Sequence, residues 1–233
     1  HFTIHSFPTR RSSDLVHTTM AGFNMCARCK EEYNDVDDRR FHAQPIACNR
    51  CGPRYEYYQQ GRLIRDMQRM MEEVGKSLEK GRIVALKGIG GFHLMCDATN
   101  EKSVARLRRI KRRDARPLAC MFADMETLKQ YAHLDEPEQH SLSSWRRPIV
   151  LLEKKKDLAP SVTLQLNTLG AMLPYMPLHH MLFQEINLPA LVMTSANISD
   201  EPLIVQNQVV HEKFGDEVDA FVFHNRPIHN RVD

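Results

Sequence analysis

No apolar run in this 233-residue sequence approaches the roughly 20 residues that a bilayer-crossing helix needs, so a bundle of membrane-spanning helices is not expected. The N-terminal stretch lacks the apolar core of a secretory signal, which makes the cytoplasm the expected compartment. An excess of charge of one sign is nearly absent: 32 basic residues against 29 acidic ones leave a formal net charge of +3. No whole-chain field therefore points to nucleic acid or to an anionic membrane. Neither an internal repeat nor a low-complexity linker interrupts the chain. Its glycines form no dinucleotide fingerprint, because GIGGF has the wrong spacing. No Ser-His-Asp or paired-carboxylate arrangement stands out.

Cysteine is scarce and unevenly placed. Four of the six lie in CARCKEEYNDVDDRRFHAQPIACNRC, as Cys26/Cys29 and Cys48/Cys51, with eighteen residues between the pairs. In a reducing compartment two Cys-x-x-Cys pairs read as metal ligands rather than disulfides. Each tight turn presents two sulfurs on one side, and four thiolates fill a tetrahedral zinc site with no position left for water. The expected metal is one structural Zn2+ on Cys26, Cys29, Cys48 and Cys51. Redox use of a pair is the competing reading, and His42, between the pairs, reads as a surface histidine. Cys96 and Cys120 stand alone in apolar runs and read as buried thiols.

Three segments are expected. Residues 1–15, HFTIHSFPTRRSSDL, read as translated sequencing adapter or a disordered tail. Residues 16–60 form a four-cysteine zinc finger too small to hold a core without metal. Residues 61–233 form a larger domain whose end at HNRVD suggests truncation. Leu63, Met67, Met70, Val74 and Leu78 fall at helical spacing, with Gly81 where a helix end wants a left-handed residue. Beyond them, apolar runs (IVALKG, PLACMF, RPIVLL, LGAMLP, PALVMTSAN, DAFVFHN) alternate with helical segments, among them EKSVARLRRIKRR, with Val104, Leu107 and Ile110 inward. That alternation is the pattern of an α/β fold, a twisted sheet covered by helices.

Two stretches could bind anions. Six basic residues lie between Arg106 and Arg113. Arg106 and Arg109 read as a solvated face, whereas Lys111 and Arg113 sit at the helix end, where cations could hold a polyphosphate. Interspersed basic residues also suit RNA phosphates. In VMTSANISDEP, Ser195 and Asn197 follow a strand and offer short polar groups beside free backbone N–H groups. Asp97, Thr99 and Asn100 read as helix caps, His93 as either a pocket or a core histidine, and His179/His180 as packing.

CARCKEEYNDVDDRRFHAQPIACNRCGPR resembles the second zinc finger of the HypF hydrogenase-maturation carbamoyltransferases. The stretches GRIVALKGIGGFHLMCDA, MLPYMPLHHMLF, LVMTSANISDEP and HNRPIHNRVD resemble the YrdC-type domain that follows it. The resemblance implies a YrdC-like domain that joins carbamate, from carbamoyl phosphate, to ATP with Mg2+, giving carbamoyl-adenylate and pyrophosphate. It further implies transfer by a downstream domain to a cysteine of the partner HypE, for cyanide on a [NiFe] hydrogenase. The family's Lys-x-Arg motif falls on Lys111 and Arg113 and its Ser-x-Asn motif on Ser195 and Asn197, and Arg231 joins them at the nucleotide. The family pattern is not fully kept: Asp114 replaces its first proline and Arg116 its second lysine. A threonylcarbamoyl-adenylate synthase for tRNA modification, and a double-stranded RNA-binding module without chemistry, are the alternatives.

Overall fold

The structure is a computed structural model and describes residues 18–43, 46–113, 115–198 and 201–232. The segment 1–15, Asp114, and Ser199 and Asp200 of VMTSANISDEP lie outside the described residues. Contacts divide the chain into two compact units, one reaching Tyr55 and taking in His224–His229, the other made of Glu56–Phe223 and Asn230–Asp233.

In the first unit α1 (Ala27–Asn34) starts directly after Cys26. Arg40 ties its chain together, bonding Glu32 at 2.6 Å and the Ala47 carbonyl at 2.8 Å. His42 stacks on Tyr33 and Phe41 with a left-handed backbone. Residues 224–229 join through Asn225, whose side chain accepts from the Arg54 N–H at 2.9 Å.

Among the described residues there are nine strands, which lie in the second unit except for their end residues Tyr55 and His224: β1 (Tyr55–Gln59), β2 (Arg62–Ile64), β3 (Val84–Lys87), β4 (Phe92–Asp97), β5 (Cys120–Phe122), β6 (Val150–Glu153), β7 (Thr168–Met172), β8 (Ala190–Ser195) and β9 (Ala220–His224). They form one mixed sheet in the order β2-β1-β9-β3-β4-β8-β5-β7-β6. β3/β9 and β5/β7 pair in parallel, while β3/β4, β4/β8, β5/β8 and β6/β7 run antiparallel. The α/β reading therefore holds, with a sheet more antiparallel than simple strand–helix alternation would give.

The helices are α2 (Met67–Glu79), α3 (Glu101–Lys111), α4 (Met125–Lys129), α5 (Glu136–Ser143), α6 (Pro160–Thr163), α7 (Pro177–Glu185) and α8 (Asn207–Phe214). Asp66 caps α2 by accepting from the Arg69 N–H at 2.9 Å, and Gly81 follows its end at φ +72°. Leu63 does not belong to this helix. It lies in β2, exposed, because the left-handed pair Gln60–Gly61 turns the chain into a hairpin first. Asn100 caps α3 at the Ser103 N–H, and Asp97 accepts from the Thr99 N–H at 2.8 Å, as their residue types suggested.

Alternation along the strands buries two faces. Ala85, Phe92, Leu94, Cys96 and Val192 join a core with Val104 and Leu107 of α3 and Phe214 of α8. Leu86, Met95 and Met193 are buried outside that cluster, and α2 packs on β3, β4 and α7. Cys96 and Cys120 are fully buried, and burial raises both thiols, Cys96 well above its ordinary value.

Candidate functional site

The two stretches expected to bind anions meet at one end of the sheet. α3 buries Val104, Leu107, Arg108 and Lys111, an i, i+3, i+4, i+7 stripe, so its inward face ends in two cations. Ile110, expected on that face, is only partly buried. Lys111 is 2% exposed. Its ammonium donates to the carbonyl of Ser195 and, at 3.1 Å, to Oδ1 of Asn197. Ser195, the last residue of β8, donates its hydroxyl to the same Asn197 oxygen at 2.8 Å, and Asn197 Nδ2 donates to the Glu201 carbonyl at 2.7 Å. The loop is fixed from below, since Ala196 N–H bonds the Phe92 carbonyl at 2.7 Å.

Arg108 explains how this corner is held. Its buried guanidinium donates to the carbonyls of Ser161 at 2.5 Å, Arg113 at 2.6 Å and Arg116 at 2.8 Å. One side chain thus fastens the whole stretch after α3. Arg113 is half-buried there and donates to the Pro117 carbonyl at 3.0 Å. Arg231 is exposed beside the glycine turn, where the Val232 N–H bonds the Gly90 carbonyl at 3.2 Å. Lys111, Ser195 and Asn197 are in direct contact. The Arg113–Pro117 bond, on the stretch after α3, and the Val232–Gly90 bond beside Arg231 do not reach those three.

A second buried lysine escaped the sequence reading. Lys87 ends β3 opposite Phe92, is 3% exposed, and donates to Asn207 Oδ1 at 2.8 Å. Burial lowers its ammonium to about 8. The available signal was a lysine closing the otherwise apolar run IVAL. On the next strand pair His93 stands opposite Ser195, so the two side chains share a face. His93 Nε2 lies 3.3 Å from the Tyr175 hydroxyl. His93, read as either a pocket or a core histidine, is half-buried and hydrogen-bonded on the face that carries Ser195.

The basic helix is not a uniform solvated patch. Arg106 pairs with Asp219 at 2.6 Å and donates to the Glu217 carbonyl at 2.6 Å, at the rim of a polar cleft of about 370 Å³ that also includes Arg82. Arg108 and Lys111 point inward, which leaves less of the helix for a phosphate backbone.

In the first unit, Cys26, Cys29, Cys48 and Cys51 place their sulfurs within 4.8 Å of one another. Consecutive contacts Cys26–Cys48, Cys48–Cys51 and Cys51–Cys29 each measure 3.7 Å. A tetrahedron with metal–sulfur bonds of about 2.3 Å has edges of about 3.8 Å, so the four sulfurs fit one zinc ion. Backbone N–H groups of Arg50 and Cys51 lower the Cys48 thiol to about 6, and N–H groups led by that of Cys26 lower Cys51. His42 stays outside the cluster. Among the described residues no helix is long and apolar enough to cross a membrane.

Comparison with known proteins separates the same two parts. The family model Sua5_yciO_yrdC, described as "Telomere recombination", matches residues 76–233, and the model described as "HypF finger" matches residues 25–58. The carbamoyltransferase HypF of Rhodobacter capsulatus is 42% identical over 223 residues, covering 94% of this chain and 29% of that protein. The chain thus spans less than a third of that relative. A threonylcarbamoyl-AMP synthase of Vibrio vulnificus is 29% identical over 159 residues, covering 66% of this chain and 85% of that protein. Among solved structures, a full-length HypF in its phosphate- and nucleotide-bound form superposes with a TM-score of 0.84 at 44% identity, over 97% of this chain and 29% of that one.

Proposed function

The chain belongs to the Sua5–YciO–YrdC family, in the form that follows a HypF finger, and from that premise we propose that it forms carbamoyl-adenylate from ATP and carbamate. In the longer relatives' setting, carbamoyl phosphate would supply the carbamate. The carbamoyl group would pass to a cysteine of HypE, in the reducing cytoplasm that keeps the finger thiols reduced. The observation that carries the reading is the convergence of Lys111 with Ser195 and Asn197, from elements 84 and 86 residues apart.

A carbamate oxygen attacks the α-phosphorus of ATP. The new C–O–P bond forms as the bond to the β-phosphate oxygen breaks, and that electron pair leaves with pyrophosphate. Two anions must approach, and negative charge grows on the leaving and equatorial oxygens. Lys111, Arg113 and Arg231 would offset that repulsion, with Mg2+ carried on the phosphates. The Ser195 hydroxyl, now turned to Asn197, can turn to a phosphate oxygen as charge develops there. The finger's four thiolates would hold a structural zinc ion, which takes no part in the chemistry because sulfur fills every position. ATP–pyrophosphate exchange dependent on carbamate tests the reading.

Threonylcarbamoyl-adenylate formation is the second reading, favoured by the Vibrio relative, most of whose length the match covers. Exchange that requires L-threonine and bicarbonate instead of carbamate would establish it.

A further inference from the structure

The polar cleft that Arg106 borders lies wholly within the second unit, and its volume of about 370 Å³ suits a small molecule. Two of its residues, Arg82 and Asp219, come just before β3 and β9, which pair in parallel with Val84 beside Ala220. Ser195 lies level with His93 and Leu86, toward the other end of β3. The cleft is therefore a separate place from the corner of Lys111, Ser195 and Asn197.

Its charges are of both signs and fall into two groups. Arg106 and Asp219 pair with each other at 2.6 Å, and Asp219 also accepts from the Ile83 N–H at 2.8 Å. That pair ties α3 to the starts of β3 and β9, and its charges cancel. Arg82 and Asp216 stand differently. The Arg82 backbone is fixed behind Gly81, its N–H bonding the Ser77 carbonyl at 3.0 Å. Its half-buried side chain makes no hydrogen bond or ion pair with any described residue. Asp216, exposed on the turn after α8, likewise keeps its carboxylate unpaired among the described residues. The Gln60 amide beside them is unengaged too, on a left-handed backbone at φ +47°. Tyr58 and the buried Val218 and Phe221 give the cleft an apolar side.

One guanidinium and one carboxylate thus face the same cleft, too far apart to pair directly. A lone anion there would gain Arg82 but meet Asp216 and Asp219, and a lone cation would meet the reverse. A ligand that carries both signs can bridge the two. We infer that this cleft binds a small zwitterion, a free α-amino acid whose carboxylate meets Arg82, whose ammonium meets Asp216 and whose aliphatic side chain lies against Tyr58, Val218 and Phe221. The planar guanidinium suits a carboxylate, with two parallel N–H donors for its two oxygens. The ammonium has three donors, enough for Asp216 and the Gln60 carbonyl oxygen together. This site is independent of the adenylate-forming reading, and neither stands or falls with the other.

The test titrates the whole chain, labelled with 15N-arginine, with L-leucine and follows the Nε–H resonance of Arg82, identified by its loss in Arg82→Gln. That resonance should shift and saturate, with a dissociation constant of about 1 mM. Leucinamide, which lacks the carboxylate, and 4-methylpentanoate, which lacks the ammonium, should each bind at least about tenfold more weakly. Asp216→Asn should weaken L-leucine binding at least about tenfold and should not weaken that of 4-methylpentanoate. Asp216 holds no other described residue through its side chain, so the variant should fold, and urea unfolding verifies it. No response of Arg82 to L-leucine would overturn the proposal. Equal affinity for L-leucine and 4-methylpentanoate, or an equal response to inorganic phosphate, would make the cleft a plain anion site and overturn it too. L-leucine binding that is undiminished in Asp216→Asn would do the same.

Discussion

The Lys111 ammonium and the Asn197 side chain, 86 residues apart in sequence, lie 3.1 Å apart in a half-buried corner. Ser195 shares the same Asn197 oxygen. The three groups are thus preorganised by one another, and each removal has consequences for the others.

Lys111→Ala should weaken ATP binding by about one to two decades, since a charge-assisted phosphate contact is worth roughly 1.5–3 kcal/mol. Arg106→Ala should leave ATP binding unchanged, because its guanidinium is spent on Asp219 and the Glu217 carbonyl. Titration calorimetry on the two variants checks this. Equal losses would mean that the helix acts as a diffuse phosphate-binding surface.

Ser195→Ala should lower the rate of adenylate formation more than it lowers ATP affinity, if the hydroxyl meets charge that appears only in the transition state. Comparing kcat with the dissociation constant for ATP separates the two effects. A loss confined to affinity would place Ser195 among ground-state contacts.

Arg108→Met should destabilise the second unit by about 3 kcal/mol or more, because three partly buried hydrogen bonds from one buried guanidinium are lost together. Urea unfolding measures this. A change below about 1 kcal/mol would show that the stretch after α3 is held by other contacts.

Much of this architecture was legible because burial and periodicity coincide in it. β3, β5, β7, β8 and β9 are short apolar runs, and α2, α3, α7 and α8 carry helical spacing or clear caps. The thiol frame was legible for a different reason, since four cysteines at that spacing have few other uses in a reducing compartment. Arg108 was not distinguished from Arg106 or Arg109, because a basic run looks alike residue by residue. The stripe Val104–Leu107–Arg108–Lys111 held the answer, but it requires letting cations count as inward residues. α5 was passed over although Asp135 and Glu138 form a capping box with a proline in the first turn. The β1/β2 hairpin was missed because Gln-Gly is a weaker turn signal than Asn-Gly. The His93–Tyr175–His179 array joins β4 to α7 and its preceding loop, and no local pattern reports a contact across 82 residues.

The finger should carry one zinc ion per chain. Cys48→Ser should release it and unfold residues 23–55 while the sheet of the second unit persists. Metal analysis by mass spectrometry, with circular dichroism on the variant, checks both parts. Purified chain without zinc would contradict the assignment.

Acid should expose the cost of burying His179. Its folded-state value of about 3 lies below the unfolded 6.5, so between these values the unfolded chain holds the extra proton. Stability from this group is complete above pH 6.5 and falls as pH drops toward 3, by up to ~1.4 kcal/mol per pH unit. Chemical denaturation from pH 7 to pH 4 should show a steeper loss for the wild type than for His179→Phe. Parallel curves would mean that the imidazole protonates in place.

Pyrophosphate exchange into ATP, followed with carbamate as the sole co-substrate, tests the central claim most directly. The account predicts exchange by the wild-type chain that needs carbamate and Mg2+ and falls at least about tenfold in Lys111→Ala. Exchange that needs L-threonine and bicarbonate, or that is undiminished in Lys111→Ala, would contradict it.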